Sequence, residues 1–243
     1  MVYFPEKSEA ENARFAAILD EIHDYLVFVL QEKLGWFDIP APEMAAGGGH
    51  VVIRFVRLGR RMVFRVPLHG IEQLKRTMLA YRHLGHLDIM PEKIYHDGKC
   101  IIESHAEGVA LSPQVSDQVL RHLATQLAKM HAMPAECYGP FAFDFQGSHA
   151  DAASYYQARP SIVIDRSETD LTADQSGVLE MALAQAAIIP ADLLTAKTAV
   201  GHGDLWRKNI LVENDRFKII DWDRVGAYPI EYDLVLLLDV ASL

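Results

Sequence analysis

Phe15, Ile18, Leu19, Ile22, Leu26, Val29 and Leu30 recur at three- and four-residue intervals, which predicts one amphipathic helix from Ser8 to Lys33 with Ser8 as its N-cap. The helix stops near Gly35. Ile39 to Glu43 reads as a loop, because its two prolines remove backbone donors and disfavour helix in the residues before them. Beyond Gly47, Gly48 and Gly49 the pattern becomes that of extended chain. Val51 to Val56 and Met62 to Val66 are β-branched and aromatic runs on either side of a turn at Leu58 to Arg60, and they predict a hairpin. Ile71 to Leu84 then returns to helical spacing. Lys93 to Tyr95 is a short strand, and Asp97-Gly98 turns the chain into another from Lys99 to Glu103.

Past Gly108 helical spacing dominates. Val115 to Met130 is strongly periodic, Ala150 to Gln157 and Ala173 to Ala187 read as helices, and strands recur only near Ile210 and Ile219. A sheet-rich first half followed by a helix-rich second half predicts an α+β chain of two lobes, not an alternating parallel-sheet enzyme.

Composition narrows the classes. Half of the 243 residues are hydrophobic and no run reaches membrane-spanning length, so a core can form without a membrane. The formal charge of -10 argues against a nucleic-acid partner held by phosphate neutralisation. Cys100 and Cys137 are the only cysteines and form no Cys-x-x-Cys pair, and Met1 to Pro5 lacks the basic start of a secretory signal. These features predict a cytoplasmic protein with neither a disulfide framework nor a thiolate metal site. Oligomeric state has no signature in the sequence.

The chemistry is concentrated in Val200-Gly-His202-Gly203-Asp204-Leu-Trp206-Arg-Lys-Asn209-Ile-Leu-Val212 and in the following Ile219-Ile220-Asp221-Trp222-Asp223. Phosphoryl transfer requires a carboxylate beside the acceptor hydroxyl and oxygen ligands for a divalent cation. Asp204 precedes Asn209 by a loop-length spacing. A short hairpin from Ile210-Leu-Val212 to Lys218-Ile-Ile220 predicts that Asp221 is carried back beside Asn209. Trp206 reads equally well as a stacking platform for an acceptor or as a packing residue.

This constellation resembles the aminoglycoside phosphotransferase and choline kinase family of the protein-kinase-like fold. His202-Gly203-Asp204, Asn209-Ile210-Leu211, Asp221-Trp222-Asp223 and Tyr232-Asp233-Leu234 carry the likeness, with a weaker echo in the helix that ends at Met130-His131. The resemblance implies a small-molecule kinase that moves the γ-phosphoryl group of ATP or GTP to a hydroxyl of an aminoglycoside-like, amino alcohol or sugar acceptor. It implies Asp204 as the catalytic carboxylate, Asn209 and Asp221 as Mg2+ ligands, His202 as a structural member of the loop and Asp233 as its support.

It further implies an N-terminal nucleotide-binding lobe over residues 1–103, a hinge over 104–108 whose backbone at Ser104 and Ala106 meets an adenine, and a catalytic lobe over 109–243. Gly48 and Gly49 fall where a loop covers the phosphates. Arg65 occupies the position of the family's phosphate-gripping lysine, and Glu72 is the helical acid expected to pair with it. Arginine for lysine changes the shape and permanence of that charge. A kinase-like nucleotide-binding protein with weak or no turnover is therefore the alternative reading.

Overall fold

The computed structural model describes residues 9–38, 43–47, 50–68, 70–156, 158 and 196–238. The helix predicted at Ala173 to Ala187, the Ser8 cap, and Gly48 and Gly49 lie outside them. The chain divides into two compact units, residues 1–75 with 91–106, and residues 76–90 with 107–243.

In the first unit α1 (Glu9–Phe28) runs into a wider helical turn at Val29–Lys33. It is followed by β1 (Glu43–Gly47), β2 (His50–Arg57), β3 (Arg60–Pro67), β4 (Lys93–His96) and β5 (Ile101–Ser104), which form one antiparallel sheet in the order β1-β2-β3-β5-β4. Alternation along β2 buries Val51, Ile53 and Phe55, while Leu19, Ile22, Leu26 and Leu30 descend from the helix onto the same core with Phe64 and Ile102. Each such side chain, fully buried, contributes about 1.5–3 kcal/mol. The β2–β3 hairpin closes on Leu58 and Gly59, both at positive φ, as a two-residue turn matched to strand twist requires. β1 begins at Glu43, the last residue of the expected loop, and runs to Gly47 as a strand that the sequence pattern does not predict. Its pairing with β2 supplies the hydrogen bonds that a weakly apolar segment does not announce in sequence.

α2 (Glu72–Leu84) crosses the division, its residues up to Lys75 belonging to the first unit and the rest to the second. In the second unit Ala80 and Leu84 of α2 pack with Val119, Leu123, Leu127 and Met130 of α3 (Asp117–His131) around Leu205, Ile210, Ile219 and Trp222. Ser116 caps α3 by accepting the N–H of Val119. β6 (Val109–Ala110), β10 (Ile210–Glu213) and β11 (Arg216–Ile219) form one small sheet in the order β11-β10-β6. β7 (Tyr138–Phe143), β8 (Gln146–His149), β9 (Ala199–Gly201) and β12 (Gly226–Tyr228) form another in the order β8-β7-β12-β9. α4 (Ile230–Leu238) follows. Among the described residues no helix is long and apolar enough to cross a membrane.

Candidate active site

The Asp204 loop leaves β9 at Gly201 and is suspended from α4. Asp233 accepts the backbone N–H of His202 at 2.8 Å through one carboxylate oxygen and that of Gly203 at 2.9 Å through the other. His131, at the end of α3, donates its Nε2–H to the same carboxylate at 3.1 Å. Burial alone would raise the pKa of Asp233, but the His131 hydrogen bond, the neighbouring His202 ring and the two backbone donors outweigh it and hold the group below its ordinary value. Gly203 adopts φ +78°, and a Cβ there would fall 2.3 Å from the Arg224 carbonyl oxygen and 2.8 Å from the Tyr228 ring, so no other residue fits. His202 is buried, donates Nε2–H to the Ile220 carbonyl at 3.0 Å and accepts the Asp204 N–H at Nδ1, in keeping with the structural role expected of it.

Asp204, Trp206 and Asn209, all singled out in the sequence, meet here. Asn209 donates its side-chain Nδ2–H to the Asp204 carbonyl at 2.8 Å and lies 3.3 Å from carboxylate oxygen Oδ2 of Asp204. The other carboxylate oxygen, Oδ1, accepts the indole N–H of Trp206 at 2.9 Å. Asn209 is linked to the other arm of the hairpin by the Ile220 N–H, which donates to its carbonyl at 2.9 Å. The Ile210–Ile219 pairing extends that register, so Asp221 follows directly on the residue opposite Asn209. Asp221 itself sits at φ 64° and ψ 58°, a left-handed conformation that aspartate tolerates better than most non-glycine residues, where β11 gives way to a 3-10 turn over Trp222–Arg224.

With its amide nitrogen committed to Asp204, Asn209 has its amide oxygen as the available ligand atom, and Asp221 adds a carboxylate. Hard oxygen donors of this kind suit Mg2+. Among the described residues no group of three or more His, Cys, Asp or Glu side chains has metal-holding geometry. Asn209 and Asp221 are the residues here whose side-chain oxygens could hold a divalent ion.

Asp223, buried two residues further on, anchors α2. Its carboxylate accepts the Thr77 hydroxyl at 3.1 Å and its carbonyl accepts Arg76 Nε–H at 2.7 Å. Sequence pattern places Thr77 on a helix but has no signal for this contact.

In the first unit Arg65 and Glu103 lie diagonally across β3 and β5, on one face of the sheet, since Val63 pairs with Glu103. Arg65 Nε–H donates to Glu103 at 2.9 Å and Nη2–H to its other oxygen at 3.3 Å, with side chains only 12% and 8% exposed. This corrects the expected Arg65–Glu72 pair, because Glu72 is 63% exposed and bonds Lys75 one turn along its own helix. The acid for Arg65 comes from the next strand, where a carboxylate inside the buried run Ile101-Ile102-Glu103 demands a charged partner. Ser104 uses its N–H on the Glu92 carbonyl and its hydroxyl oxygen on the Glu92 N–H, both at 2.8 Å. That N–H is therefore not the group an adenine would meet. Ala106 lies in the irregular segment that follows.

Residues 45–242 match the sequence model of the phosphotransferase enzyme family, and the chain belongs to that family. It is a small-molecule phosphotransferase with a hydroxyl acceptor. No curated protein matches the sequence significantly. Among solved structures, a thermostable mutant of aminoglycoside phosphotransferase APH(4)-Ia in its apo form is 20% identical and superposes with a TM-score of 0.65 over 85% of this chain and 74% of its own. The GDP and kanamycin complex of APH(2")-IIia is 16% identical, with a TM-score of 0.63 over 88% of this chain and 77% of its own. The streptomycin-ATP ternary complex of APH(2")-IIa is 17% identical, with a TM-score of 0.62 over 97% and 76%. The protein-kinase-like fold expected from the sequence is the fold the chain adopts.

Proposed function

We propose that the protein transfers the γ-phosphoryl group of ATP or GTP, with Mg2+, to a hydroxyl of a small polyhydroxylated amine of the aminoglycoside kind. The observation that supports this reading is the Asp204–Asn209 contact, with Asp221 following directly on Ile220, whose N–H bonds the Asn209 carbonyl. The acidic balance of the chain suits a cationic acceptor. Kanamycin and streptomycin in the complexes of its structural neighbours are molecules of that chemistry.

In this reading Asp204 accepts the hydrogen bond of the acceptor hydroxyl and aligns its oxygen for in-line attack on the γ-phosphorus, taking up the proton as the new P–O bond forms and the bond to the β-phosphate oxygen breaks, with the nucleoside diphosphate as leaving group. Mg2+, when bound, offsets charge on the phosphates. Asn209 and Asp221 would hold it through oxygen. Arg65, fixed by Glu103, supplies the positive charge for the phosphates. The Ser104 carbonyl and the Ala106 N–H offer one acceptor and one donor, the pair that an adenine edge requires.

The test is nucleotide consumption by purified protein with Mg·ATP or Mg·GTP and a panel of kanamycin, hygromycin B, streptomycin, amino alcohols and sugars. Asp204→Ala is expected to lower turnover at least about 100-fold with nucleotide affinity retained, the scale of lost base catalysis. Asp221→Ala is expected to weaken Mg2+-dependent nucleotide binding. Full turnover in Asp204→Ala removes that residue from its role. Nucleotide binding without transfer to any acceptor supports the alternative of a binding protein without turnover.

A further inference from the structure

We propose that Trp206 is a positioning residue for Asp204, its indole N–H locking one carboxylate oxygen so that the other is presented to the acceptor hydroxyl. The inference rests on the reading of Asp204 as the carboxylate that orients the acceptor.

An indole N–H donates and cannot accept, so a partly buried tryptophan needs an acceptor for it. Trp222, buried in the core of the second unit, meets that need with a backbone carbonyl, that of Ile219. Trp206 instead donates to Oδ1 of Asp204 at 2.9 Å. Its neighbour Leu205 is fully buried in the core, whereas Trp206 is only half-buried, so core filling does not account for an indole at this place.

The backbone makes the contact possible. Trp206 is extended, at φ -78° and ψ 152°, and precedes the 3-10 turn of Arg207–Asn209. Its N–H donates to the Asp204 carbonyl and its own carbonyl accepts the Asn209 N–H, both at 2.8 Å. The short loop is therefore cross-braced, and the side chain turns back over two residues to reach the carboxylate. Asn209 touches the opposite oxygen, Oδ2, at 3.3 Å, a long contact beside its 2.8 Å bond to the Asp204 carbonyl. Oδ1 is the strongly held oxygen. Rotation of the carboxylate away from the acceptor would break a charge-assisted hydrogen bond, so the indole selects the rotamer in which Oδ2 serves as the receiving atom.

Trp206→Phe keeps an aromatic ring and deletes the donor. With Mg·ATP and whichever of kanamycin, hygromycin B, streptomycin or water the wild type uses as acceptor, kcat is expected to fall about 10- to 100-fold, the scale of a misoriented reacting group. The nucleotide KM and the thermal midpoint should stay close to wild type. Trp206→Leu, also without the donor, repeats the comparison with an aliphatic side chain. Independently of turnover, the indole N–H resonance of Trp206, assigned by its loss in Trp206→Phe, should shift in Asp204→Asn while those of Trp36 and Trp222 stay in place. An unshifted resonance overturns the proposal. So does an unchanged kcat in both variants, or a loss confined to nucleotide KM and melting, which would mark a scaffold for the loop. A wild type inactive with every acceptor and with water overturns the phosphotransfer reading and takes the proposal with it, even where the resonance shifts.

Discussion

Asp233 holds Gly203 in place by accepting its backbone N–H at 2.9 Å, and its second oxygen does the same for His202. One carboxylate thereby fixes two successive peptide groups immediately before Asp204. Because Asp233 is fully buried and also receives His131, its removal leaves several polar groups without partners in the core. Asp233→Ala is expected to cost about 3–5 kcal/mol, as for other buried pairs broken on one side. Urea unfolding checks this, through a lower midpoint at unchanged slope. A midpoint equal to wild type would mean that these bonds carry no stability.

The same residue predicts an acid limb. Its folded pKa lies below the ordinary 3.8, so the unfolded chain takes up the proton first as pH falls. Protons bound in the unfolded state exceed those in the native state within that window, and stability there rises with pH. The contribution of Asp233 is complete above about pH 4 and disappears as pH drops through the lower folded value. Denaturant midpoints measured downward from pH 5 should fall more steeply in wild type than in Asp233→Asn, and parallel curves would refute the assignment.

Glu103 and Glu72 offer a direct contrast. Glu103→Ala strips a buried guanidinium of its carboxylate, and nucleotide affinity is expected to drop together with about 3 kcal/mol or more of stability. Glu72→Ala removes an exposed pair with Lys75, worth about 0.5 kcal/mol or less, and should change neither melting nor nucleotide affinity appreciably. Nucleotide titration and thermal melting of the two variants side by side decide it. The opposite ranking would restore Glu72 as the partner of Arg65.

Gly203→Ala meets the Arg224 carbonyl as well as an unfavourable φ, and is expected to cost about 2–5 kcal/mol and to abolish turnover. Gly98 has a similar φ of +86° but open space around it, so Gly98→Ala should show only the conformational part, about 1–2 kcal/mol, with activity kept. Thermal melts and nucleotide consumption on both variants separate crowding from backbone strain.

Much of this could be read before folding. The Asp204–Asn209 spacing and the apolar runs on either side of Phe217 predict a loop and hairpin, and the structure closes that hairpin with Ile210 opposite Ile219. Local spacing suffices there because every contact lies within a few residues. The β7–β8 hairpin was illegible for the converse reason. Tyr138 to His149 has little alternation, and Tyr138 is held by a cluster that includes Tyr155 and Tyr228. Those partners are distant in the chain.

What the sequence determined by itself is α1, α2, α3, the strands β2 to β5, the β10–β11 hairpin and the local chemistry, because helical period, strand alternation and the order of Asp204, Asn209 and Asp221 depend on near neighbours. Only the tertiary structure decided which acid serves Arg65, which two backbone N–H groups Asp233 holds, and where the Trp206 indole points. Charge and donor groups inside a protein must be satisfied, but sequence does not state by whom. Glu72 lies nearer to Arg65 along the chain than Glu103 does, yet the register of two antiparallel strands puts Glu103 in reach and leaves Glu72 in solvent.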